Sequence, residues 1–218
     1  MKGKILISFT RALLIAISLY LIYQHDFVFA SAAIIATAVS FLPVLIEKNY
    51  KLTLPWIIQF LIVLALLLHI FGTILNWYSS FFFFSPLMHF IGTAVIALLA
   101  FIIIYSLNLT KYVKLSSFMI GFFTFMFAMG IGAMWEIGEF SLDKTIGTHN
   151  QGDGINPLDD TMYDLMWDGV AGLIIALFGS ALVKSHHELI HPFEQYFRKL
   201  RLKYKKYRLK LKKKKETL

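Results

Sequence analysis

The sequence predicts an all-α integral membrane bundle of six transmembrane helices with both termini cytoplasmic. Three observations carry this. Of 218 residues, 58% are hydrophobic and only 16% charged, with a mean hydropathy of +0.68. A soluble domain needs about a quarter of its residues charged, so an ordinary water-soluble enzyme is excluded. No Asp, Glu, Lys or Arg occurs from Leu52 to Thr110, 59 residues that cannot be one buried helix of a globular core. Lys and Arg also concentrate at alternate connections, as the positive-inside rule requires of a multi-pass chain.

Windows of about 20 apolar residues, the length that crosses ~30 Å of hydrocarbon, place spans at 5–23, 27–46, 55–75, 86–106, 116–140 and 162–183. They are helices because lipid offers backbone groups no other partner. Lys2 and Lys4 with the small run Ala30-Ser31-Ala32 imitate a signal peptide. The apolar run continues to Ile46 and Arg11 interrupts the first segment, so 5–23 reads as a span. Lys48, Lys51, Lys111 and Lys114 flank the second and fourth connections, whereas the first and third have no Lys or Arg and the fifth has only Lys144. Residues 1–183 thus form the membrane domain, and 141–161 an outer loop whose Gly147, Asn150, Gly152, Gly154 and Pro157 predict turns.

Charge divides along the chain. Residues 1–183 have a net charge of −2 and 184–218 of +10. From Arg198 to Lys215 there are 12 basic residues and no acid, with Leu200, Tyr204, Tyr207 and Leu211 at helical spacing. This predicts a basic amphipathic cytoplasmic tail lying on anionic lipid; nucleic acid is not expected, because the adjacent span makes lipid the nearer partner.

Ionisable groups inside spans are costly and so point to function. His69 falls near the outer end of the third span and His89 near the outer start of the fourth. Glu136 and Glu139, three apart, share a face of the fifth. Asp160, Asp164 and Asp168, four apart, form a stripe about 12 Å long on the sixth. Eight carboxylates and one Lys lie between Met134 and Gly169. Carboxylates this dense in a poorly hydrated site need protons or a metal ion as compensation. His with Asp and Glu suits Zn²⁺, Mn²⁺ or Fe, whereas carboxylates with Gln151 and Asn156 suit Mg²⁺ or Ca²⁺. The candidate metal ligands are His89, Glu136, Asp164, Asp168, Asp160 and His69. Trp56, Trp77 and Tyr78 read as interfacial belt residues. Zero cysteine removes disulfides and thiolate sites.

The order Trp135-Glu136-Ile137-Gly138-Glu139-Phe140, Asp143, Gly147-Thr148, Gln151, then Asp160-Thr161-Met162-Tyr163-Asp164-Leu165 with Asp168 and Gly172 resembles the YjdF-like family of predicted bacterial inner-membrane proteins. His89-Phe90-Ile91-Gly92 is similar to that family's His-Phe-x-x-Gly feature. The resemblance covers roughly 69–175 and implies a multi-pass protein of the bacterial inner membrane; it carries no biochemical activity with it. Gly154-Ile155-Asn156-Pro157 departs from the aromatic residue that often follows the family's Gln-Gly-Asp piece.

Three functions compete. A metal-dependent hydrolase or lipid-modifying enzyme at the outer leaflet would use Glu139 as general base, with Gln151 and Asp153 orienting substrate. No G-x-S-x-G is present, so the metal carries that mechanism. A proton- or cation-coupled transporter would use Asp164, Asp168, Glu136 and His69 as a relay, although all candidates lie on one side. A non-catalytic protein would use the site to hold a structural metal.

Overall fold

The computed structural model describes residues 2–50, 54–109, 113–152 and 156–184. The described residues form eight helices and no strand: α1 Lys2–Tyr23, α2 Phe27–Ser40, α3 Leu42–Tyr50, α4 Trp56–Ile74, α5 Trp77–Ser80, α6 Phe84–Leu109, α7 Ser117–Ile146 and α8 Pro157–Lys184. With α2 and α3 counted as one interrupted segment, six are long and apolar enough to cross a bilayer. Large apolar side chains such as Phe9 and Phe118 are left outside the bundle, where lipid covers them. The basic tail lies outside the described residues except for its first residue, Lys184.

The second span is broken at Phe41, which the sequence reading runs through. Pro43 has no N–H to continue the ladder, and Val44 N–H turns to Phe41 O instead of Ser40 O. Arg11 from α1 takes over the released carbonyl, donating from Nε at 3.1 Å and Nη2 at 2.7 Å, and its guanidinium lies 4.9 Å from the Phe41 ring. Arg11 thus satisfies a backbone acceptor that hydrocarbon cannot.

The expected loop 141–161 is shorter, because helix extends into it from both sides. Ser141 and Thr145 hydroxyls bond back to Ile137 O and Ser141 O, and α7 stops at Gly147 in the left-handed region, φ 77°. Pro157 opens α8, where its missing N–H costs nothing. Asp160 is therefore the fourth residue of α8. At 30 residues α7 is about 45 Å long, more than ~30 Å of hydrocarbon, so it tilts or projects.

The helices form two groups. Helices α1, α2 and α4 pack together, α6, α7 and α8 pack together, and α4 against α6 joins them. The first group has an apolar core that includes Leu14, Ala33, Val63 and Ile70. In the second, buried residues recur every four positions: Thr124, Ala128, Gly132 and Glu136 on α7, and Asp160, Asp164, Asp168, Gly172 and Ala176 on α8. Small residues let the backbones approach, and a Cβ on Gly121 would meet Ser180 Oγ and Ala176 O. The carboxylates occupy the same seam toward the end where α7 passes into α8, here termed the acidic end.

Candidate metal site at the acidic end of the bundle

Three helices converge here. On α6, Ser85, His89 and Thr93 are spaced by four and so lie on one face. That face meets the Asp164 and Asp168 stripe of α8, and α7 supplies Glu136. His89 Nε2 lies 3.5 Å from Glu136 Oε1 and 3.5 Å from Asp164 Oδ2, while its Nδ1 lies 3.3 Å from Asp168 Oδ1. Ser85 donates to Asp164 Oδ2 at 2.9 Å, and the Thr93 hydroxyl donates to Asp168 Oδ1. Asp164 and Asp168 are each 1% exposed and Glu136 4%.

Among the described residues, His89, Glu136 and Asp164 each offer one ligand atom, all within 4.8 Å of one another. Both Glu136 oxygens and Asp168 Oδ2 are buried without a hydrogen-bond partner. Thr161 neighbours Glu136 without meeting ordinary hydrogen-bond geometry. Buried carboxylate oxygens without donors are costly, and here they line the space between three potential ligands.

The other expected site residues occupy distinct surroundings. Asp168 addresses the far nitrogen of His89 and lies outside the three-ligand group. Asp160 is buried one turn nearer the loop, against Gly152, whose missing side chain admits its carboxyl. His69 turns to Tyr78, with Nδ1 2.6 Å from the hydroxyl, and meets Trp135 edge-on at 5.8 Å. The structure therefore does not bring His69 into the ligand group. Glu139 Oε1 accepts from the Trp135 indole at 2.8 Å. Gln151 is buried and donates to Thr161 Oγ1 at 2.8 Å. Asp153 lies outside the described residues.

Several neighbours were not visible in the sequence. Tyr78, read as a belt residue, is instead the partner of His69; burial first, then the charges of Glu139 and Asp164, pushes its phenol above the ordinary range. Asp143 gathers the loop, accepting from Thr148 Oγ1 at 2.6 Å, Asn150 N at 2.8 Å and Gln151 N at 3.0 Å. Ser85 and Thr93 carry one retrievable signal, their four-residue spacing from His89.

The family model described as predicted membrane protein (DUF2238) matches residues 5–185, which include every residue of this site. The chain belongs to that family. The expectation drawn from motif order thus holds at the level of a predicted membrane-protein family. An "Uncharacterized protein" of Thermotoga maritima is 33% identical over 131 residues, covering 59% of this chain and 64% of that protein, less than two thirds of the relative's length. No solved structure matches. The chain is a multi-pass membrane protein of this family, with a buried His/carboxylate group at one end.

Proposed function

We propose that this chain resides in the bacterial inner membrane with its acidic end outward, and that it holds a divalent metal ion on His89, Glu136 and Asp164 for hydrolysis or modification of a lipid-linked substrate at the outer leaflet. The observation that carries this reading is the convergence of three ligand atoms within 4.8 Å, with buried Glu136 oxygens that accept no hydrogen bond. One imidazole and two carboxylates are a donor set suited to Zn²⁺, Mn²⁺ or Fe. Three protein ligands leave coordination positions open, as catalytic sites do and closed structural sites do not. When bound, such an ion polarises a substrate oxygen and activates water.

The protein's own residues supply the rest. Glu139, one turn from Glu136 and tied to Trp135, is the proposed base. Gln151, anchored by Thr161 and by the Asp143-bound loop backbone, orients substrate, a role shared with Asp153 two residues further along the sequence. The alternation of Lys and Arg supports the outward orientation of this end, and the +10 segment 184–218 supports contact of the tail with anionic inner-leaflet lipid.

A relay across the membrane is less well supported. Toward the opposite end of α6, α7 and α8, Tyr105 and Ile120 pack with Phe101, Leu115 and Leu182 into an apolar cluster. A second reading follows from a different observation: His89 stands within 3.5 Å of three carboxylates, so a protonated imidazole can serve as their cation without a metal.

Metal content separates the readings. Full-length protein purified in detergent without chelator is expected to carry one divalent ion per chain, lost in Asp164→Asn, and to cleave a dye-labelled phospholipid in mixed micelles only while loaded. Wild-type protein without metal, and not stabilised by added Zn²⁺ or Mn²⁺, overturns the metal reading and leaves the ion-pair network.

A further inference from the structure

We infer that Asp168, Thr93 and Gly132 form a device that sets which nitrogen of His89 is free to bind metal, so that Asp168 is a positioning residue rather than a ligand. The inference rests on the metal reading above and assigns a role that the ligand set alone does not. Its starting point is the two-sided environment of the imidazole. Nδ1 faces Asp168 Oδ1 at 3.3 Å, and Nε2 faces Glu136 and Asp164 at 3.5 Å each.

An ionised carboxylate only accepts hydrogen bonds, so the nitrogen bonded to Asp168 carries the proton. In a neutral imidazole Nε2 then presents its lone pair. A lone pair aimed at two carboxylates is repulsive unless a cation lies between them, which is where the three ligand atoms converge. A histidine that binds metal through one nitrogen and donates from the other to a carboxylate is held in orientation and made more basic.

Asp168 is itself held on both sides. Thr93, 3% exposed and one turn beyond His89 on α6, donates to the same Oδ1 that faces the imidazole. The other oxygen, Oδ2, is pressed against α7 at Gly132, where any Cβ would collide with it. Thr93 therefore fixes the depth of the carboxylate and Gly132 the room it occupies. Three helices set one tautomer: His89 and Thr93 from α6, Asp168 from α8 and Gly132 from α7.

The test is Co²⁺ titration of full-length, detergent-purified protein, followed by its visible d–d absorption. Asp168→Asn and Thr93→Val are each expected to weaken Co²⁺ binding roughly 10- to 100-fold with an altered d–d spectrum, whereas Thr93→Ser retains affinity and spectrum. Gly132→Ala is expected to behave like Asp168→Asn. If Asp168→Asn does not fold, the Val and Ser pair at Thr93 decides, since the two variants differ in whether the hydroxyl is kept. Wild-type affinity and spectrum in Thr93→Val, or equal loss in Thr93→Val and Thr93→Ser, overturn the device while Asp164→Asn still tests the site. Failure of wild-type protein to bind Co²⁺ overturns the metal reading and the device together.

Discussion

The two three-helix groups share one membrane and handle polarity in opposite ways. In α1, α2 and α4 the buried hydroxyls are satisfied locally: Thr10 and Ser18 donate to carbonyls four residues back, at 2.9 Å each. Arg11, a charged group well inside the first span, is spent on Ser40 O. In α6, α7 and α8, by contrast, Glu136, Asp160, Asp164 and Asp168 are all buried, and three of their oxygens have no hydrogen-bond partner. Lipid provides no hydrophobic drive between helices, so neither group gains from burying polar atoms as such. The first group shows that this chain can pack a bundle without buried acids. The second buries four acids, three of them beside His89, and the proposed metal ion would compensate their charge.

Substitutions in either group separate the two. The largest expected effect is in the first group: Leu14→Ala, at a fully buried core position, should cost about 2–5 kcal/mol while leaving metal affinity unchanged. Equilibrium unfolding in mixed micelles with parallel Co²⁺ titration measures both, and a linked loss of affinity would show that the halves are not separable. Next is ligand stabilisation of the second group. Free Zn²⁺ at 100 times its Kd should stabilise wild-type protein by about 2.7 kcal/mol and Asp164→Asn by nothing; equal stabilisation would place the ion elsewhere.

Arg11→Ala should cost about 1–3 kcal/mol, because it leaves the Ser40 carbonyl without a donor in hydrocarbon. Arg11→Lys offers one ammonium nitrogen in place of the two guanidinium nitrogens that bond Ser40 O and should recover part of this. Hydrogen exchange around 38–45 should rise with the loss; unchanged protection would mean that the break is stable by itself. The smallest effect is at Asp143→Ala, which removes three hydrogen bonds from the loop backbone and Thr148. Faster exchange confined to 147–152 is expected, with global stability changed by less than about 1 kcal/mol. A global change of several kcal/mol would make the loop part of the packed core.

How much could be read in advance differs by feature. Six spans follow from the charge-free stretch and the apolar windows, since hydrocarbon thickness sets helix length. The break at Phe41 does not follow from Pro43 alone, because a proline in a membrane helix is tolerated wherever a neighbour satisfies the freed carbonyl, and that neighbour, Arg11, is 29 residues away. The loop is shorter than its Gly and Asn content predicts, because Ser141 and Thr145 bond within the helix and Gly147 ends it. At the site, the four-residue spacing of Asp160, Asp164 and Asp168 predicts a shared face. It does not predict that Asp160 meets the loop, Asp164 the ligand group and Asp168 the back of His89.

By itself, the sequence determined a multi-pass helical membrane protein whose acidic groups collect in and between its last two spans. Composition and helical period suffice for that, because each is a property of one segment. Which acids share a point with His89, which nitrogen each meets, and that His69 turns to Tyr78 were decided only by tertiary structure. Period fixes the face of a helix on which a residue lies; the rotation and depth of its neighbours, fixed by packing at small residues such as Gly121 and Gly132, decide what that face touches.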